Sequence, residues 1–231
     1  MSRNNSELSY VRIQRIDDPL FNQLHQLLRK IFPDEEVLEF AAWAQPLQDP
    51  GLRVYVAVHE GEVVGATEYR YDPQMKVAMT DFTVIGKEGL GIGPFLVKER
   101  SRDLAAWVSA TEGPMIGMFA EIYKPDSTED LDFGSIKVMH PVVRREVLSH
   151  LGYLRCDFAY VHPSWKQDGE AVERLDLGFL PHQEAELNAL PGSLIARFLR
   201  TYYAPLHPKP PAWHDMIEML EHKDSIPLLP L

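Results

Sequence analysis

The sequence predicts an α+β fold with a helical C-terminal extension, and three observations carry that expectation. Three β-rich runs, "LRVYVAV", "EVVGATEYRY" and "KVAMTDFTVI", follow one another through the short turns "HEGE" and "DPQM", as an antiparallel meander does. The loop "GLGIG" then separates the third run from a helix-like one. Towards the C-terminus, "GSLIARFLRTYYA" and "PAWHDMIEMLEHK" read as two helices on either side of the proline-rich "PLHPKPP".

The remaining elements follow in chain order. "YVRIQRI" is a short strand, and "DPLFNQLHQLLRKIF" a helix, because Leu20, Leu24, Leu27, Leu28 and Ile31 recur at helical spacing. Asp18 and Pro19 suit its start as cap and first-turn proline. "PDEEVLEFAAWAQ" reads as a second short helix. After the glycine loop, "FLVKERSRDLAAWVSATEG" places Leu96, Val97, Leu104, Trp107 and Val108 on one buried face, and Gly113 with Pro114 stops the helix. "MIGMFAEIY" is an apolar strand of the kind covered on both faces in a parallel arrangement. An irregular acidic stretch, "KPDSTEDLDFG", leads to the helix "HPVVRREVLSHLG" and the strands "YLRCDFAYVHP" and "ERLDLGFLP".

The chain has 231 residues, 45% of them hydrophobic, enough for a full core. A body over 1–182 with a helical extension over 183–231 packed on the same domain is the expected organisation. The net charge of −11 argues against binding nucleic acid or anionic lipid and favours a cationic small molecule. A single cysteine, Cys156, excludes an intramolecular disulfide. With no apolar signal core in "MSRNNSELSY" and no membrane-length apolar run, a cytoplasmic setting is expected. No histidine spacing matches a metal motif. A homodimer through a strand edge or the helical tail is left open.

Glycines where a strand gives way to a helix let the backbone approach a ligand and tolerate positive φ, while the helix start offers unpaired N–H groups. This is an anion site, most naturally for phosphate; a tight structural turn is the alternative. Gly93 is followed by Pro94 and Phe95, which excludes a Walker A loop, and the spacing G-x-G-x-G excludes a dinucleotide fingerprint. Lys87, Lys98 and Arg100 are either phosphate contacts or solvated charges.

From about Leu52 to Tyr160 the chain resembles the GNAT family of acetyltransferases. "EGEVVGATEYRY" is similar to the family's second-to-third strand hairpin, "MTDFTVI" to its fourth strand, "EGLGIG" to its pyrophosphate loop, and "LGYLRCDFAYVHP" to its Leu-Gly-Phe/Tyr signature. The resemblance implies a mixed, mostly antiparallel central sheet flanked by helices. It implies acetyl-CoA as co-substrate, held by backbone N–H groups of Gly89, Leu90, Gly91, Ile92 and Gly93, with the pantetheine arm beside Phe82, Thr83 and Val84. The N–H of Val84 or a neighbour would polarise the thioester carbonyl. Two positions depart from the family: Glu88 stands where Gln or Arg is usual, and Leu148 where a tyrosine acts as general acid.

Three carboxylates are candidates for the base that frees an amine for attack: Glu68, Asp81 and Glu121. Glu121 leads, because "GMFAEIY" sets one carboxyl among apolar neighbours, where burial raises a pKa; a solvated or ion-paired side chain is the alternative for each. Ser149, His150, Tyr123 and Tyr153 are substitutes for the acid, each with a structural alternative. Arg144 and Arg145 read as solvated, and Phe198, Tyr202 and Tyr203 as the packing face of a helix. The function expected is transfer of an acyl group from acyl-CoA to a primary amine of a small molecule or peptide. The alternative is a CoA-binding or sensor protein of the same fold without turnover.

Overall fold

A computed structural model describes residues 7–32, 36–125, 139–164, 170–182, 187–206 and 208–231. The elements begin with β1 (Ser9–Ile13) and α1 (Pro19–Ile31), followed by β2 (Leu52–His59), β3 (Glu62–Asp72), β4 (Val77–Ile85) and α2 (Ile92–Ser109). They continue with β5 (Gly117–Tyr123), α3 (Pro141–His150), β6 (Leu154–Cys156), β7 (His162–Pro163), β8 (Ala171–Val172) and β9 (Leu175–Pro181). The chain closes with β10 (Ala189–Leu190), α4 (Gly192–Tyr202), α5 (Pro211–Glu221) and β11 (Ile226–Pro230). Nine strands form one sheet in the order β1-β2-β3-β4-β5-β9-β6-β11-β10, and β7 pairs with β8 as a separate ribbon. Every pairing in the large sheet is antiparallel except β4 with β5.

That parallel pairing is short. It runs only from Val77↔Gly117 to Thr80↔Ala120, after which β4 and β5 diverge. At the same level the register between β3 and β4 shifts, with Glu68 opposite Phe82 and Tyr69 opposite Thr80, so Asp81 is the extra residue of a β-bulge. The bulge redirects side chains. Thr80 and Thr83 face α2, whereas Phe82 joins the core under α1.

Packing follows from these faces. α1, capped by Asp18 accepting from the Leu20 N–H, buries Phe21, Leu24, Leu27, Leu28 and Ile31 against Val54, Val56, Phe82 and Val84. α2 lies on the opposite face, with Leu104 in the cluster of Tyr69, Ala78 and Met118. α4 and α5 cover the other half of the α1 face, where Phe198 stacks on Phe119 at 4.7 Å between ring centres. α1 and α4 therefore leave a hollow between them.

The structure departs from the sequence expectation in four places. Of "PDEEVLEFAAWAQ", residues 33–35 lie outside the described residues, and the rest forms a 3₁₀ turn at Phe40–Ala44, with a second at Pro46–Gln48. Pro46 stops continuation as an α-helix. α2 starts at Ile92, three residues earlier than the apolar spacing indicates. "YLRCDFAYVHP" yields only the three residues of β6 before the chain turns, and the two of β7. The extension ends in a strand, β11, lying between β6 and β10 in the main sheet. Its "IPLLP" escapes sequence reading because proline is rare inside sheets. "KPDSTEDLDFG" lies mostly outside the described residues. Among the described residues no helix is long and apolar enough to cross a membrane.

Phe198 is 4% exposed and ties the C-terminal helices to β5. Phe198→Ala is expected to lower unfolding free energy by about 3–5 kcal/mol in a denaturant titration. Val147→Ala on exposed α3 should change it by no more than about 0.5 kcal/mol.

Candidate active site

The glycine loop is open and uncapped. Gly89 (φ 83°) and Gly91 (φ 68°) adopt left-handed backbone, and a Cβ at either would meet nothing within 4 Å. Gly91 is the N-cap of α2 and has no side chain with which to cap it. The first-turn N–H groups of Ile92 and Gly93 therefore face an accessible space at the positive end of the helix, a geometry that fits a pyrophosphate. Lys87, Glu88 and Lys98 are exposed. Arg100, by contrast, is 4% exposed. Its Nη1 donates to Thr80 Oγ1 (2.8 Å), Thr83 Oγ1 (2.7 Å) and Thr67 Oγ1 (3.3 Å), pinning α2 to β3 and β4 beside the gap. Exposure of the two lysines leaves both alternatives open, whereas the buried arginine is not a solvated charge.

Backbone direction in β4 decides which N–H faces the gap. Gly86 N donates to Val64 O in β3, whereas Ile85 N donates away from β3, to Met139 Sδ at 3.2 Å. Successive N–H groups alternate along a strand, so that of Val84 turns into the β3 ladder and that of Thr83 faces the gap. The N–H that faces the gap is thus that of Thr83, a neighbour of Val84 as the expectation allowed.

On the other face of the sheet, the hollow between α1 and α4 is a cavity of about 1030 Å³. The three carboxylates considered as bases, Glu68 on β3, Asp81 on β4 and Glu121 on β5, line it together. Tyr160 and Tyr203 both donate to Glu121 Oε1, and Tyr202 donates to Asp81 Oδ1 at 3.0 Å. His162 Nε2 stands 3.8 Å from Glu121 Oε2. At the rim, Arg174 and Tyr123 donate to Glu36, and Arg70 pairs with Asp49 at 2.6 Å.

Burial dominates the protonation chemistry. It pushes the Glu121 carboxyl up to about 6, against the two phenols that favour its charged form. Burial, then the nearby charge of Glu121, pushes Asp81 up to about 6, and burial with the Asp81 charge raises Glu68 well above the carboxylate range. His162 is pushed down to about 4 by burial, although Glu36 and Asp81 oppose it, so it is neutral at pH 7. Glu121 thus ionises just below neutrality, where a base for an ammonium group is useful.

Several residues take places that sequence reasoning did not give them. Asp81, one of the two carboxylates placed behind Glu121, is brought to the cavity by the bulge. Tyr202 and Tyr203, read as packing, reach the carboxylates, while Phe198 does pack; the adjacent tyrosines at a helix end were the available signal. Arg145 pairs with Asp176 at 2.9 Å, and Arg144 lies over Phe32 at 5.4 Å and lines the cavity, so neither is a solvated surface arginine. Leu148 packs beside Tyr153, whose buried phenol has no hydrogen-bond partner among the described residues. Tyr123 is engaged by Glu36, and Ser149 and His150 are exposed. Cys156 is a buried thiol pushed up to about 12 by burial.

The sheet is bulged and splayed, with the glycine loop on one side and a carboxylate-lined cavity on the other. Two solved structures share its fold. A Bacteroides thetaiotaomicron protein assigned to the GNAT family of acetyltransferases superimposes with a TM-score of 0.54 at 13% identity, over 84% of this chain and 95% of that one. The ribosomal-protein-S18-alanine N-acetyltransferase of Escherichia coli superimposes with a TM-score of 0.50 at 11% identity, over 78% of this chain and 99% of that one. The protein has the GNAT fold. No family model and no curated protein matches the sequence.

Because Glu121 keeps its proton in the folded state up to about pH 6 but releases it near 4.5 when unfolded, stability falls as pH rises between those values. The loss is about 2 kcal/mol. Unfolding titrations of wild type and Glu121→Gln should therefore diverge by about that amount in the variant's favour between roughly pH 4 and pH 7; parallel curves would show that Glu121 ionises normally.

Proposed function

We propose that the protein is an acyl-CoA-dependent N-acyltransferase, using acetyl-CoA and a primary amine bound together. The observation that carries this reading is the arrangement across the gap between β4 and β5. An uncapped glycine loop heads α2 on one side, and a carboxyl with a pKa of about 6 lines a cavity on the other. The GNAT fold supports it. The N–H groups of Gly91, Ile92 and Gly93 would hold the pyrophosphate, and Phe82, Thr83 and Val84 would flank the pantetheine arm.

Acetyl-CoA, when bound, supplies an activated acyl group. The chain's own part is to strip the incoming ammonium of a proton, which Glu121 accepts at its carboxylate, and to present the Thr83 N–H towards the gap. Tyr160 and Tyr203 hold Glu121 in place and limit how far burial raises its pKa. The thiol of CoA, with a pKa of about 8.5 as for a free cysteine, leaves tolerably as thiolate without a dedicated acid. Leu148 favours a second reading, a CoA-binding protein without turnover; saturable CoA binding with no transfer to any amine would select it.

Calorimetric titration with acetyl-CoA should give saturable binding. Gly91→Val forces a β-branched residue into left-handed backbone and should weaken it at least about tenfold with an unchanged far-UV spectrum; unchanged affinity would remove the loop from the site. With an accepted amine, kcat/KM should rise as pH increases through about 6. Glu121→Gln should abolish that limb and cut kcat by about 10²–10⁴-fold while leaving acetyl-CoA affinity intact. Retention of the limb in the variant would exclude Glu121 as base.

A further inference from the structure

The cavity brings together more carboxyl groups than the cations around it pair. Glu36 is met by Arg174 and Asp49 by Arg70, and Glu121 receives two phenols. Glu68 and Asp81 are different. They lie on adjacent strands, close enough to share a proton, and among the described residues neither has a cationic group within ion-pair distance. Tyr202 serves Asp81. Glu68 is 5% exposed, and among the described residues its Oε2 has no hydrogen-bond partner although the side chain lines the cavity.

An unpartnered buried carboxyl oxygen costs about 1–3 kcal/mol or more, so its retention at a cavity wall points to a ligand donor. Among the described residues no three His, Cys, Asp or Glu side chains are disposed to hold a metal ion. The carboxyls are instead strung across β3, β4 and β5. An ammonium group has three donors and fits between two carboxyl groups. Neighbouring strands lie about 5 Å apart, so a molecule reaching from the Glu68–Asp81 pair to Glu121 spans about 5–10 Å, roughly three to six methylenes between two nitrogens.

We propose that Glu68 and Asp81 form a subsite for a second ammonium group, so that the acceptor is a diamine or longer polyamine anchored at this pair while its other amine meets Glu121. The inference rests on the N-acyltransferase reading of the same cavity. Besides each other, the pair faces Arg70 from β3, Glu121 from β5, Tyr202 from α4 and His162 from β7. Arg70 is already committed to Asp49 and His162 is neutral at pH 7. An arriving ammonium therefore displaces the proton the pair shares.

The test is calorimetry on the full chain without acyl donor, comparing 1,4-diaminobutane and spermidine with n-butylamine at about pH 6.5 in two buffers of different ionisation enthalpy. The two polyamines should bind at least about tenfold more tightly than the monoamine and release protons. Glu68→Gln should reduce the preference to within about twofold and suppress the release. Tyr202→Phe keeps both carboxyls but removes the donor to Asp81; it should weaken diamine binding at about pH 6.5 and recover it near pH 8, where Asp81 ionises without help. Where Glu68→Gln does not fold, Tyr202→Phe carries the decision. Equal affinity for monoamine and diamine in wild type, or a preference that survives Glu68→Gln in a folded variant, overturns the subsite. Diamine binding without transfer from acetyl-CoA to any amine keeps the subsite and overturns the enzyme reading. Transfer to monoamines and diamines with equal kcat/KM does the reverse.

Discussion

The parallel pairing of β4 with β5 over four residues, and its failure beyond Thr80 and Ala120, is the constraint on which the site depends. Two antiparallel halves meet there, β1 to β4 on one side and β5 with β9, β6, β11 and β10 on the other. Because they part, backbone groups of β4 after Thr80 face a gap instead of a partner strand. The bulge at Asp81 stands where the strands separate. It turns one carboxyl and Phe82 towards the cavity and leaves Thr80 and Thr83 on the α2 face, so the two faces of the gap acquire different chemistry.

Each face is held by a buried polar group that propensity alone would not place there. On the α2 face, the three threonine hydroxyls around Arg100 Nη1 give the guanidinium neutral acceptors, and no carboxylate is within ion-pair distance among the described residues. This couples the helix behind the glycine loop to the strand that borders the gap. On the cavity face, the phenols of Tyr160, Tyr202 and Tyr203 satisfy two carboxyls without neutralising them. A lysine or arginine there would hold the acids ionised and lower their pKa values; phenols leave them able to titrate near neutrality.

Much of this was legible in residue order. The meander, the glycine loop, the amphipathic α1 with its Asp18 cap and the apolar β5 are local patterns, and local patterns survive into the structure. All three carboxylates were visible as candidates, but their meeting was not, because it depends on strand adjacency and on a one-residue bulge. Arg100 looked like its exposed neighbour Lys98, since helical phase between them is a matter of two residues. Tyr202 and Tyr203 fitted an apolar face, and only the position of α4 over β5 shows their hydroxyls reaching acids. β11 was hidden by its own prolines.

The long reach of those tyrosine contacts has a consequence for how the protein is made. Tyr202 lies 121 residues after Asp81, and Tyr203 lies 82 residues after Glu121. At about 5–20 residues per second, a ribosome delivers Asp81 roughly 6–24 s before Tyr202 and Glu121 roughly 4–16 s before Tyr203. Until then Asp81 lacks the phenol that serves it, and Glu121 can meet only that of Tyr160. The segment that finishes the carboxyl side of the cavity is therefore made late, and β11, which pairs with β6, follows it in the chain.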